Sequence, residues 1–189
     1  MKKIALVSVL SIFAASMTMT SCKKKEDPKP DEQELITTLK LSVAGTGGFS
    51  KTFMYKVENG FGGTTSGTVQ IDTVKLPAGQ TYSMTAEILN EKANPVVNIT
   101  DEVIAEKDAH LLLYTSTPSS GAGSLTFSNG SKDSKNLPFN QTITMVSGAA
   151  GSGKLQVNLI HAPTDKTATT TTGAGGETDV EAIFPVLIQ

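Results

Sequence analysis

The sequence predicts an all-β domain, and three observations favour it. Apolar residues alternate with polar ones in one segment after another, as they do from Leu39 to Val43. Turn-forming pairs such as Asn59-Gly60 and Asn129-Gly130 separate these segments. One stretch, from Thr100 to Ala109, departs from this alternation and has features of a short helix. We therefore expect a single antiparallel β-sandwich of the immunoglobulin-like kind, with one short helix or helical turn.

The predicted strands share a period of two, which places one apolar face against a core. In chain order they cover residues 35–43, 53–57, 69–73, 82–88, 125–127, 143–145, 155–159 and 180–188. The run Leu111-Leu112-Leu113 is apolar on both faces, which predicts a central strand. The stretch Thr164–Gly176 is rich in Thr and Gly, and we expect a mobile loop there, with a functional loop as the alternative.

The predicted helix begins at Thr100, whose hydroxyl is a suitable N-cap. Asp101 and Glu102 follow in the first turn, where carboxylates interact favourably with the helix dipole. Val103 and Ile104 supply an apolar side. The helix should lead directly into the Leu111 strand.

The N-terminus has the features of a secretory signal peptide. Lys2 and Lys3 precede an apolar run from Ile4 to Ala15, which is about 12 residues long and shorter than the roughly 20 that span a membrane. The single cysteine, Cys22, follows the small residues that end this run, and its setting resembles the lipobox common among Bacteroidota. We expect cleavage after residue 21 and lipidation of Cys22, which would anchor the chain in a membrane.

Residues 22–33 are charged, contain proline and lack an apolar cluster, so that a flexible tether is expected. Within it, Lys25-Glu26-Asp27 resembles the export signal that carries some Bacteroidota lipoproteins to the outer face of the outer membrane. The expected location is the outer membrane, on the cell surface or on the periplasmic face. Residues 34–189 are long enough for one domain with a substantial core.

Charge and residue types exclude several function classes. The chain has 16 basic and 18 acidic residues, and loss of Lys2 and Lys3 with the signal peptide leaves 14 basic ones. An acidic balance disfavours nucleic acid as a partner. The chain has only two histidines, no thiol other than that of Cys22, which we expect to carry lipid, and no serine in a nucleophile-elbow context. These features argue against an enzyme.

A metal site is the best-supported candidate for chemistry. Asp101, Glu102, Glu106, Asp108 and His110 lie within ten residues, and His161 and Asp165 lie near a strand end. Imidazole and carboxylate groups bind zinc and similar divalent ions, so His110, His161, Asp108 and Glu106 are the predicted ligands. The alternative is a solvated acidic helix with two structural histidines, of which His161 would cap the core.

A modification site is a further hypothesis. Asp72-Thr73-Val74 resembles the O-glycosylation acceptor of Bacteroidota, which would make Thr73 the modified residue. Its predicted position within a strand disfavours modification. A sugar-binding role for the domain is also disfavoured, because the chain has no tryptophan and only three tyrosines.

The mature chain resembles a family of uncharacterised Bacteroidota lipoproteins. The segments that carry the resemblance are Asp31–Thr38, Ile99–Val103 and Gly176–Val180. Members are often labelled "type 1 periplasmic binding fold superfamily protein" and tend to be encoded beside TonB-dependent receptors. The label names a fold of two α/β lobes, whereas this chain is half that size and alternates like an antiparallel sheet.

The resemblance implies an accessory role in nutrient uptake. We expect a lipid-anchored, non-enzymatic envelope protein that binds a ligand or metal, or assists an outer-membrane receptor. The alternative is a structural or protein-protein interaction lipoprotein without a small ligand.

Overall fold

The computed structural model describes residues 35–63 and 67–189. The predicted signal peptide (1–21), the lipidation site Cys22 and the tether (22–33) lie outside the described residues. Eleven strands and two short helices are present in the described chain. They are β1 (Thr38–Gly45), β2 (Ser50–Val57), β3 (Val69–Ile71), β4 (Val74–Leu76), β5 (Thr81–Asn90), β6 (Val97–Asn98), α1 (Thr100–Ala105), β7 (His110–Thr117), β8 (Leu125–Ser128), β9 (Thr142–Ser147), β10 (Gly151–His161), α2 (Thr171–Ala174) and β11 (Glu177–Ile188).

The strands form two sheets, which confirms the predicted β-sandwich. The larger sheet has the order β3-β2-β1-β5-β9-β8, with β6 also paired to β5. The smaller sheet has the order β4-β11-β10-β7. The β4–β11 pair is parallel, and the other named strand pairs are antiparallel.

The core lies between the inner faces of the sheets, as the period-two pattern predicts. In β11, every second residue from Val180 to Ile188 is buried, whereas most of the residues between them are exposed. The largest side chains without accessible surface include Leu39, Leu41, Met84 and Phe184. Each contributes about 1.5–3 kcal/mol through burial.

The prediction that Leu111-Leu112-Leu113 forms a central strand is wrong, because β7 lies at the edge of its sheet. Leu112 faces the main core, whereas Leu111 and Leu113 form a second cluster with Ile160 and Ala174. Ala174 belongs to the loop at 164–176, which covers the outer face of this sheet. The loop predicted to be mobile is therefore packed on the sheet through a buried residue.

Helix α1 confirms the predicted helix, but Thr100 is not its N-cap. Residue Ile99 occupies that position, and no side chain caps the helix. The Thr100 hydroxyl is buried, accepts from the Ile88 N–H at 2.7 Å and donates to the Ile88 carbonyl at 3.2 Å. Thr100 thus attaches the helix to β5. Among the described residues, no helix has the length and hydrophobicity required to cross a membrane.

Candidate ligand-binding cleft

The two histidines singled out by the sequence meet at one end of the sandwich. His110 begins β7, His161 ends β10, and the two are directly opposite in the strand pairing. Their rings stack, with centroids 4.9 Å apart and 13° between the planes. The His110 ring is buried, and its Nδ1 lies 3.1 Å from the Glu106 carbonyl oxygen. This carbonyl orients the His110 ring.

The structure does not assemble the predicted carboxylate ligands around this pair. Asp108 accepts hydrogen bonds from the hydroxyl and the backbone N–H of Ser134, and these bonds lower the pKa of Asp108. Asp165 accepts from the hydroxyl and the N–H of Thr167. Asp101, Glu102 and Glu106 are exposed residues in or beside α1. Within residues 35–63 and 67–189, no three His, Cys, Asp or Glu residues are grouped closely enough to hold a metal ion.

Thr73 occupies the connection between β3 and β4. The strand predicted over 69–73 ends at Ile71, and the chain then passes from one sheet to the other. The Asp72 carboxylate accepts the Met54 N–H at 2.8 Å, and Thr73 is half-buried. Thr73 therefore lies outside a strand, and the predicted strand position that disfavoured its modification is wrong.

A cleft of about 360 Å³ opens beside the edge strands of the two sheets, β7 and β8. Residues 113–114 of β7, residues 127–130 at the end of β8, and Ile143 of β9 contribute to its lining. Positions in the 132–140 segment and residues 166–169 complete it. We call this feature the β7–β8 cleft. Cavities of this size are typical of small-molecule sites.

Aromatic and aliphatic side chains line one part of the β7–β8 cleft. The rings of Tyr114 and Phe127 have centroids 5.5 Å apart and an angle of 32° between their planes. The Tyr114 hydroxyl donates to the Asn140 carbonyl at 3.0 Å. Burial raises the pKa of Tyr114 above its ordinary value. Tyr114 is therefore a neutral, oriented phenol near neutral pH.

The backbone of β7 also faces this side of the sandwich. The Leu112 N–H donates to the Phe139 carbonyl at 2.9 Å, outside the sheet, and the Leu112 carbonyl accepts from the Asn140 side-chain amide at 3.0 Å. Hydrogen-bonding directions alternate along an antiparallel strand. The N–H and C=O of Tyr114, two residues later, consequently point away from β10.

A buried ion pair supports the wall of the cleft. The Lys166 ammonium lies 2.7 Å from the Asp133 carboxylate and donates to the Lys107 carbonyl at 2.6 Å. The two side chains are 5% and 0% exposed. Burial alone would raise the pKa of Asp133, but hydrogen bonds from the ammonium and from two backbone N–H groups lower it. The pair attaches the 164–176 loop to the 131–140 segment.

This cleft could not be predicted from the sequence. Tyr114 and Phe127 have no motif around them, and their proximity arises because β7 and β8 are the edge strands of different sheets. A partial signal was present in two asparagines, since Asn129 and Asn140 have φ angles of 51° and 65°. Asparagine adopts this left-handed conformation more readily than other residues with a side chain.

We compared the chain with protein-family models, with curated proteins and with solved structures, and none of the three comparisons found a match.

Proposed function

We propose that this chain is a non-enzymatic, lipid-anchored protein of the bacterial envelope that captures a small ligand in the β7–β8 cleft. The observation that carries the proposal is the composition of the cleft lining. The lining combines Leu113, Tyr114, Phe127 and Ile143 with polar residues of the 128–140 and 166–169 segments. Small-molecule sites combine apolar surface with oriented polar groups, and this lining contains both.

The proposed location follows from the N-terminal sequence. Lipid on Cys22 would hold the domain at the outer membrane, on the cell surface or on the periplasmic face. The resemblance to lipoproteins encoded beside TonB-dependent receptors suggests that the captured ligand is passed to such a receptor. The role is capture and delivery, without chemical conversion of the ligand.

Native mass spectrometry of the full chain in detergent tests ligand capture. We expect a small molecule to remain bound to the protein isolated from its own cells, and to be lost in Phe127→Ala. Phe61→Ala is the matched control, because Phe61 packs on Tyr55 outside the cleft lining. Equal loss in both variants, or no bound molecule in the wild type, would contradict the proposal.

A structural or interaction role is the second candidate, and the exposed edge strand β3 favours it. Val69 and Ile71 are 40% and 43% exposed, although their β2 partners are the buried Val57 and Tyr55, which packs against the core. A free strand edge with exposed apolar side chains can pair with a strand of another protein. If this role is correct, Ile71→Lys should abolish a partner complex that crosslinking of intact cells detects, whereas Phe127→Ala should retain it.

A metal role for the histidine pair is a separate proposal, supported by the proximity of the two rings, whose centroids lie 4.9 Å apart. Structural zinc normally has four protein ligands, so that two imidazoles would hold an ion only together with water or a ligand. Stoichiometric zinc in the purified chain, lost in both His110→Ala and His161→Ala, would support this role. A metal-free wild type would contradict it.

A further inference from the structure

We infer that the β7–β8 cleft takes a peptide-like ligand, a short extended segment that pairs with the strand edge at Tyr114 and carries a carboxylate. The inference rests on the proposed function, because it names the class of ligand for the same cleft. Three features carry it: the direction of backbone groups on β7 and β8, the turns that leave those groups accessible, and the charge of the lining.

The first feature is the pair of strand edges. The Ala162 N–H donates to the Ala109 carbonyl, which places the bonds between β10 and β7 at odd-numbered residues of β7. The N–H and C=O of Tyr114 therefore face away from β10. On β8, the bond from the Gly148 N–H to the Ser124 carbonyl similarly shows that the backbone N–H and C=O groups of even-numbered residues point toward β9.

The backbone groups of Phe127 consequently face away from β9, toward the side on which Tyr114 lies. The bond from the Leu125 N–H to the Ser116 hydroxyl, at 2.8 Å, shows the same direction for odd-numbered residues of β8. Among residues 35–63 and 67–189, no loop residue is hydrogen-bonded to the backbone of Tyr114 or Phe127. Each edge thus offers one N–H donor and one C=O acceptor, the groups with which extended peptides pair.

The second feature is a pair of turns, one on each side of the cleft, at which hydrogen bonding to the strands ends. Phe139 and Asn140 pair with Leu112, but the left-handed backbone at Asn140 then turns the chain into β9. Asn129, also left-handed, turns the chain away from β8. The accessible edge is short, so it accommodates only about two or three extended residues.

The third feature is the chemistry of the lining. The rings of Tyr114 and Phe127 and the side chain of Ile143 suit an apolar side chain of the ligand. Lys132 and Lys166 are the charged residues of the lining, which contains no acid. Because Asp133 neutralises Lys166, the exposed Lys132 is the cation that favours a carboxylate on the ligand.

Amide hydrogen exchange on the full chain in detergent tests the inference. The probe is a pool of acetylated tripeptides with Val, Leu or Phe at the centre and a free C-terminal carboxylate. We expect exchange at the Tyr114 and Phe127 amides to slow at least tenfold. The Ile71 amide, which faces the free edge of β3, is the control and should not change. Unchanged exchange at Tyr114, or equal slowing at Ile71, would overturn the inference.

Two modified pools separate backbone pairing from charge recognition. Methylation of the central amide nitrogen should weaken binding at least tenfold, because it removes a backbone donor. Replacement of the carboxylate by a carboxamide should weaken binding several-fold in the wild type and have no effect in Lys132→Met. Lys135→Met is the matched control, since Lys135 is an exposed lysine of the same segment outside the lining. Equal binding of the methylated and unmethylated pools would refute strand pairing.

A non-peptide anion distinguishes failure of this inference from failure of the proposed function. 3-Phenylpropionate carries an aromatic ring and a carboxylate but no amide. If it shifts the NMR signals of Tyr114 and Phe127 while the tripeptides do not, the peptide inference is wrong and small-molecule capture stands. If neither probe binds and native mass spectrometry finds no bound molecule, both proposals are wrong.

Discussion

His110 and His161 lie opposite each other on β7 and β10, and their rings stack at a centroid distance of 4.9 Å. The neighbouring pair on the same face of these strands, Leu112 and Leu159, belongs to the main core. The histidine pair therefore closes the inner face of the smaller sheet at one end. A structural role of the pair can be measured separately from any metal binding.

Truncation of the buried histidine should destabilise the domain. His110→Ala removes the contact with the Glu106 carbonyl and leaves a cavity beside His161, with an expected loss of about 2 kcal/mol in the free energy of unfolding. His110→Phe keeps a stacking ring and loses only the hydrogen bond, so about 1 kcal/mol is expected. Urea denaturation followed by circular dichroism measures both, and wild-type stability in His110→Ala would contradict the structural role.

The buried ion pair should be costly to break from one side. Asp133→Asn leaves the Lys166 ammonium buried opposite a neutral amide, and an expected loss of about 3–5 kcal/mol follows. The matched control is Glu87→Gln, which breaks the partly exposed pair with Lys40 and should cost less than about 1 kcal/mol. Denaturation midpoints that change equally in the two variants would show that burial of the pair has no energetic consequence.

Stability should fall at acid pH, partly because of Asp133. Its pKa is below the ordinary value of 3.8, so the unfolded chain binds a proton before the folded chain does. The stabilisation is complete above the unfolded pKa and is lost as the pH falls through the folded pKa. Denaturation at intervals from pH 6 to pH 2 should show a shallower acid loss in Asp133→Asn than in the wild type. The remaining loss arises from other carboxyls with a lowered pKa, such as Asp108 and Asp165.

Alkaline pH should destabilise the fold through Tyr114. Burial raises its pKa above the ordinary value of 10.0, so the unfolded chain loses the phenolic proton first. Stability is therefore retained below about pH 10 and decreases as the pH rises further. Tyr114→Phe should reduce this alkaline loss, although it also removes the hydrogen bond to Asn140. Identical pH profiles above pH 9 for the two proteins would contradict burial of the phenol.

The close approach of Gly130 to Asn140 should make the wall of the cleft sensitive to a single methyl group. A Cβ atom at Gly130 would lie 1.9 Å from the Asn140 side-chain oxygen. Gly130→Ala should displace this side chain, break its bond to the Leu112 carbonyl and destabilise the domain by about 1–3 kcal/mol. The double variant Gly130→Ala/Asn140→Gly removes the clash. Thermal denaturation should show that it is no less stable than Asn140→Gly alone.

The strands could be predicted from sequence because one buried face imposes a period of two, as in β5 and β11. Helix α1 could be predicted locally, because the alternation stops there and two carboxylates, Asp101 and Glu102, stand where a first helical turn favours them. Pairing partners could not be predicted in this way, since alternation identifies an inner face without identifying the neighbouring strand. Leu111-Leu112-Leu113 illustrates this limit. The apolar residues of this run predict burial on both faces. The outer face, however, is buried by a loop distant in sequence that contains Ala174.

The candidate sites show the same limit of prediction from local pattern. His110 and His161 could be identified as noteworthy because histidine is rare in this chain, and only the β7–β10 register brings their rings together. Asp133 and Lys166 carry no local signal, because their energetic importance comes from burial by surrounding elements. Tyr114 and Phe127 form part of a cleft because two edge strands from different sheets lie side by side. Local pattern thus determined which faces are buried, whereas long-range strand pairing decided which residues meet, because contacts between distant strands depend on the packing of the whole chain.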